Sequence, residues 1–261
     1  GQLRFSAVSV STNGLIAYRS GDESRRQLAW FDRAGTALGT IGEPDDNNLQ
    51  NPRLSPDGRR LTVMRTVQGN SDIWLMDGTR TSRFTFEPAV EQYSVWSPDG
   101  SRVAFNSSRD GVGSLYVKPS SGGGAEERLL ETPPGGTSRG AIPLDWSPDG
   151  RFLLYLLQDS QTSYDLWVLP LDGDRKPWPF LKTRFSERLA SFSPDGRFVA
   201  YLSDESGRLE VYVRPFVVPG SSPARDGAPS AQWQVSNAGG TYVRWRRDGR
   251  ELYYTDPQGR M

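Results

Sequence analysis

The chain has 261 residues with 31 Lys and Arg against 31 Asp and Glu, so it offers neither the basic footprint of a nucleic-acid binder nor a patch that draws a protein onto anionic lipid. It has no histidine and no cysteine, which excludes Ser-His-Asp and Cys-His catalysis, imidazole and thiolate metal sites, and disulfides. No apolar run reaches the about eighteen residues that a bilayer span needs, and the chain opens without a basic, apolar leader.

One motif sets the order of the elements. Ser-Pro-Asp-Gly stands at 55–58, 97–100, 147–150 and 193–196, with variant forms at 11–14 and 246–249. The six glycines are 44, 42, 50, 46 and 53 residues apart, a period that means a repeat architecture. Four residues before each glycine stands an apolar residue: Val10, Leu54, Trp96, Trp146, Phe192 and Trp245. Asp-Gly and Asn-Gly between alternating apolar runs are hairpin turns, since glycine tolerates the positive φ and Asp or Asn bonds nearby amides.

The first repeat predicts strands near Arg4–Val10, Leu15–Arg19, Arg26–Asp32 and Thr36–Ile41, then an acidic loop 43–48. Asp45 and Asp46 there are better read as a solvated loop than as a cation site, because calcium loops need longer ligand spacing and a set turn glycine. In later repeats the second strand shows period two (Leu61/Val63, Leu153/Tyr155), and a third carries an aromatic: Asp72–Met76, Asp165–Leu169, Glu210–Arg214. Short fourth strands follow at Thr81–Thr85, Glu127–Leu130 and Pro177–Leu181. Four antiparallel strands per repeat make one blade of an all-β, six-repeat β-propeller of four-stranded antiparallel blades. Helix is expected to be nearly absent. Blades fall at about 1–50, 51–90, 91–140, 141–186, 187–238 and 239–261, in a single propeller domain covering 1–261. The stretch around Pro133-Pro134-Gly135-Gly136 reads as a linker, and 219–230 as an insertion. The last blade is incomplete, having room for two of its four strands, so the chain reads as a piece of a longer polypeptide.

Two sets of residues are candidates for binding. Loops joining second to third strands are varied and polar while the motif turns are nearly uniform, and they offer Arg109, Asp110, Asp159 and Asp204. Five residues before each motif glycine lie Ser9, Arg53, Val95, Asp145, Ser191 and Arg244, next to the repeated apolar residue and on the other side of the innermost strand. Arg53, Asp145, Ser191 and Arg244 there are expected to border a central channel and hold a small anionic or zwitterionic ligand or a peptide carboxylate, which arginine grips with two parallel bonds. The competing reading is that both arginines pair with Asp145 or nearby turn acids. No catalytic residue, metal or cofactor is expected. The motif aspartates are structural, and no Walker loop is present.

Ser-Pro-Asp-Gly-Arg repeats followed by Asp-Ile-Trp or Asp-Leu-Trp resemble the WD40-like PD40 propeller repeats of the TolB type. More narrowly, Arg83–Phe86, Asp165–Phe180, Glu210–Phe216 and Trp233–Ser236 resemble the C-terminal propellers of bacterial serine/threonine protein kinases. The resemblance implies a non-catalytic sensor or interaction module, extracytoplasmic, binding a protein or small ligand on its loop face or channel, monomeric and not membrane-embedded. The same repeats are similar to substrate-gating propellers of prolyl-oligopeptidase-like peptidases and to propeller lyases, the latter opposed by the lack of histidine. A carboxylate-based carbohydrate enzyme is the third possibility and needs two carboxyl groups roughly 5–9 Å apart.

Overall fold

The computed structural model describes residues 8–10, 16–20, 25–32, 35–47, 49–78, 80–132, 140–159, 162–220 and 231–260, the first two segments as backbone. The 133–139 part of the expected linker, residues 221–230 of the insertion, the turn at 11–14 and the Ser9 side chain lie outside them. Among the described residues none is helical.

The strands form consecutive antiparallel sheets, each built in chain order. The first holds β1 (Val8–Val10), β2 (Ile16–Ser20), β3 (Arg26–Phe31) and β4 (Ala37–Asp45), and the second β5 (Gln50–Leu54), β6 (Arg60–Val67), β7 (Asn70–Asp77) and β8 (Arg80–Arg83). The third holds β9 (Glu91–Trp96), β10 (Arg102–Ser107), β11 (Ser114–Pro119) and β12 (Glu127–Leu130). In the fourth are β13 (Ala141–Trp146), β14 (Phe152–Asp159), β15 (Ser163–Pro170) and β16 (Trp178–Leu181). The fifth has β17 (Glu187–Phe192), β18 (Phe198–Ser203), β19 (Glu210–Pro215) and β20 (Trp233–Gln234), and the sixth the pair β21 (Thr241–Trp245) and β22 (Leu252–Thr255). Each four-stranded meander is a propeller blade. The chain packs as two compact units, residues 1–143 and 144–261.

The four Ser-Pro-Asp-Gly turns are wired alike. At 55–60 the Ser55 hydroxyl donates to Asp57 at 2.5 Å and accepts from Arg60 N at 2.9 Å, while Gly58 N donates to the Ser55 carbonyl with Gly58 at φ 71°. The same bonds recur at Ser97, Ser147 and Ser193. Arg246 replaces the serine in the sixth turn, yet the backbone bonds from Arg246 N to Glu251 O and from Gly249 N to Arg246 O are kept. Hydroxyl bonds lower two of the motif carboxylates: Ser55 holds Asp57 below its ordinary value, and Ser97 and Ser101 lower Asp99 to about 2. Neighbouring turns also touch, as a Cβ on Gly100 would lie 3.6 Å from Pro56, and one on Gly196 3.7 Å from Pro148.

Middle strands are buried on both faces because blades stack on either side. Leu153, Leu154, Tyr155 and Leu156 run consecutively at 2 % exposure or less. The third-strand aromatics sit opposite second-strand partners, Phe105 facing Tyr116 and Tyr201 facing Tyr212, with ring centroids 6.1 and 5.9 Å apart. In unit 1, Ile73 and Phe84 from the second sheet pack with Trp96, Val103, Phe105 and Tyr116 from the third. The repeated tryptophan also ties sheets together by hydrogen bond. Trp96 Nε1 donates to the Arg53 carbonyl at 3.0 Å, and Trp245 Nε1 to the Ser191 carbonyl at 3.2 Å.

Two features depart from the expected strands. The fourth strand of the first sheet runs on to Asp45, because that carboxylate pairs with Arg65 at 2.5 Å and Arg65 lies over the Trp74 ring at 4.3 Å. Pro44 is tolerated there since the outermost strand needs no donor on its free side. Four of the innermost strands are bulged: Asn51, Tyr93, Leu189 and Tyr242, each seven residues before its motif glycine, have φ of 50, 55, 49 and 54°. Their pairing registers shift at these points.

Candidate functional site

In unit 2 the residues five before the motif glycine come together. Asp145 Oδ2 accepts from the Ser191 hydroxyl at 2.9 Å and from Phe192 N at 2.8 Å, while Oδ1 accepts from Trp146 N at 3.0 Å. Its carboxylate thus fastens β13 to β17. Arg244, half-buried on β21, donates from Nη1 to the Val243 carbonyl at 2.8 Å, whereas its Nη2 is shielded from solvent with no hydrogen-bond partner. Burial pushes the guanidinium below its ordinary value, and the attraction of Asp145 opposes that shift. A desolvated guanidinium with an unspent donor suits a planar acceptor such as a carboxylate. Arg53 lies in unit 1 on β5, half-buried, its carbonyl taken by Trp96 Nε1. Val95 is buried at 4 % exposure.

The loop candidates are engaged within the fold. Arg109 donates to Glu91 and lies 2.6 Å from Glu126 as well, with its guanidinium 4.2 Å from the Tyr116 ring centroid. Asp110 accepts from Tyr116 at 2.5 Å, Asp159 from Lys182 at 2.7 Å, and Asp204 from Ser186 N at 2.9 Å.

The sequence reading passed over two buried carboxyl groups that begin innermost strands. Glu91 and Glu187, nine residues before Gly100 and Gly196, are 0 and 1 % exposed and pair with Ser107 and Ser203. That common spacing was the signal. Glu91 has Arg109, but the equivalent residue of the fifth sheet, nine after the motif glycine, is Glu205. Burial first, with Asp165 and Asp204 adding to it and Thr183 opposing, pushes Glu187 up to about 7. The folded state therefore holds this proton more tightly than the unfolded chain, so the stability is fully present below the ordinary value of 4.5 and is lost as pH rises through about 7. Melting temperatures of the parent and Glu187→Gln across this window should converge at low pH and separate above it, the parent falling more. Parallel curves would remove Glu187 as the titrating group.

Repeated four-stranded meanders with serine-anchored motif turns define a β-propeller. The sequence profile of the TolB beta propeller domain family (PD40) matches residues 7–215, and the chain belongs to that family. It is 34 % identical over 117 residues to the uncharacterized peptidase YuxL of Bacillus subtilis (strain 168), covering 41 % of this chain and 17 % of that protein. It is 36 % identical over 83 residues to the Tol-Pal system protein TolB of Anaeromyxobacter dehalogenans (strain 2CP-C), covering 30 and 18 %. The chain thus spans less than a fifth of the length of either relative. Among solved structures, TolB from Acinetobacter baumannii superposes with a TM-score of 0.65 at 23 % identity over 80 % of this chain and 51 % of that one. Among the described residues no helix is long and apolar enough to cross a membrane.

Proposed function

We propose that this propeller is a non-catalytic recognition module that binds a carboxylate-bearing small ligand or peptide end through Arg244, with Ser191 and Asp145 beside it. The observation that carries the reading is the buried, unpartnered Nη2 of Arg244. An unmade hydrogen bond at a desolvated cation is costly, and a ligand carboxylate would recover it. The parent polypeptide in this reading is an extracytoplasmic bacterial sensor carrying a serine/threonine kinase domain, as the resemblance of 165–180 and 210–216 suggests.

Calorimetric titration of succinate and acetyl-dialanine into the parent, Arg244→Ala and Arg244→Lys tests the site. Loss of a charge-assisted bidentate contact should weaken binding about tenfold or more in Arg244→Ala, and the lysine variant should recover only part because it lacks the planar fork. Equal affinity in all three proteins removes the proposal. A second reading, a substrate-gating propeller for a separate peptidase domain, is favoured by the similarity to YuxL and to the tricorn protease homolog 1 of Streptomyces coelicolor.

A further inference from the structure

Asp-Gly is a dipeptide at which a peptide chain readily rearranges. The glycine amide nitrogen attacks the side-chain carboxyl carbon of the aspartate; a C–N bond forms, a C–O bond breaks and one water leaves, giving a five-membered succinimide. Water then opens the ring at either carbonyl, and opening at the backbone carbonyl leaves an isoaspartyl linkage, in which the main chain runs through Cβ. Nothing is oxidised or reduced, and water is the only co-reactant. Glycine favours the attack because it has no Cβ to hinder the nitrogen and reaches dihedrals closed to other residues. This chain carries nine such dipeptides, five of them in the motif turns.

The motif turns hold both reacting groups. Gly58 N donates to the Ser55 carbonyl and Gly150 N to the Ser147 carbonyl, each at 2.9 Å, and Gly100, Gly196 and Gly249 repeat the bond. The carboxylate is fastened as well: Asp149 accepts from the Ser147 hydroxyl at 2.6 Å and from Arg151 N at 3.1 Å, as Asp195 does from Ser193 and Arg197 N. Outside the motif, Gly111 N donates to the Ser108 carbonyl at 2.9 Å while Asp110 accepts from Tyr116. Asp77 is held through its backbone, which pairs with Arg60 on one side and Arg80 on the other, so the rotation that closes the ring would disturb β6 and β8. Asp226–Gly227 lies outside the described residues.

Asp172 and Gly173 are different. They lie in the bend after β15, both exposed, with Gly173 at φ 63° and open space where its Cβ would stand. Among the described residues Gly173 N donates to no backbone carbonyl, and Asp172 has neither a hydrogen bond nor an ion pair. The preceding residue is anchored, Leu171 N donating to the Arg151 carbonyl at 2.8 Å and the Leu171 carbonyl accepting from Arg175 Nε at 3.2 Å. We infer that Asp172–Gly173 is a modification site, where the backbone passes through a succinimide to isoaspartate while the same dipeptide in the motif turns stays intact. The bonds that shape the Ser-Pro-Asp-Gly turn also silence its chemistry, which lets the dipeptide serve in blade after blade. The added main-chain carbon falls outside the pairing of β15 with β16, which joins Val168 to Trp178 and Leu166 to Leu181.

The parent chain is aged at neutral pH in oxygen-18 water, one sample folded and one in urea, then digested and sequenced by electron-transfer fragmentation, which tells isoaspartyl from aspartyl linkages. In the folded sample, isoaspartate carrying oxygen-18 should build up at Asp172 about tenfold or more faster than at Asp57, Asp99, Asp149 or Asp195, because hydrogen bonds to both reacting groups must break at each motif turn before its ring can close. In urea the difference should vanish. The inference is overturned if Asp172 stays unmodified over a period in which the unfolded chain converts, or if the motif aspartates or Asp77 convert as fast as Asp172 in the folded sample. A difference that survives in urea would overturn it too, since the fold would then not be its cause.

Discussion

Phe105→Ala is expected to lower the free energy of unfolding by about 3–5 kcal/mol, the range for deleting a fully buried aromatic ring. Phe105 is 0 % exposed, stands opposite Tyr116 and packs in the cluster formed with Ile73, Phe84, Trp96 and Val103. The neighbours that would have to collapse into the space are strands already hydrogen-bonded on both sides, so relaxation is limited and most of the cavity should persist. Urea unfolding of parent and variant, followed by tryptophan fluorescence, gives the difference directly. A loss under about 1 kcal/mol would mean that the cluster is not the core of unit 1.

Gly140→Ala should be at least as damaging, through crowding instead of a void. A Cβ at Gly140 would lie 1.8 Å from the carbonyl oxygen of Gly113 and 2.6 Å from its carbon, and the residue has φ 55°. That oxygen cannot simply move aside. It accepts from Ala141 N at 2.9 Å and from the Thr132 hydroxyl at 2.7 Å, bonds that hold both segments to Gly113 within unit 1. Overpacking and left-handed strain together suggest a cost of about 3 kcal/mol or more. The same unfolding measurement checks it, and a variant as stable as the parent would show that the Gly113 contact is dispensable.

The repeat and its strands were legible because the motif does its work locally. Ser, Pro, Asp and Gly each satisfy a bond or a dihedral within six residues, so the turn can be read without knowing what surrounds it. The aromatic positions were legible for a related reason, since a period-two pattern places Tyr116 and Tyr212 on the faces where Phe105 and Tyr201 meet them. Tertiary partners were not legible. Nothing local in Asp45 says that Arg65 will reach it and extend β4, and Arg109, read as a loop residue open for binding, is drawn down by the buried Glu91 eighteen residues earlier in the chain. The inner-strand set shares one spacing from the motif glycine, which the sequence shows. That Asp145 would spend its oxygens on Ser191 and Phe192 while Arg244 kept a donor unspent depends on distances between strands about fifty and a hundred residues apart, which no spacing rule supplies.

The left-handed bulges at Asn51, Tyr93, Leu189 and Tyr242 bear on how the molecule can diversify. Each bulge lies two residues before the position occupied by Arg53, Val95, Ser191 or Arg244, and it turns the strand at a fixed place whatever side chain follows. A cation, an aliphatic group and a hydroxyl have been installed at one backbone address without altering the pairing on either side. The bulged strands therefore accept a change of side chain at one fixed position, each re-specified by one codon, while the pairing that sets the fold stays untouched.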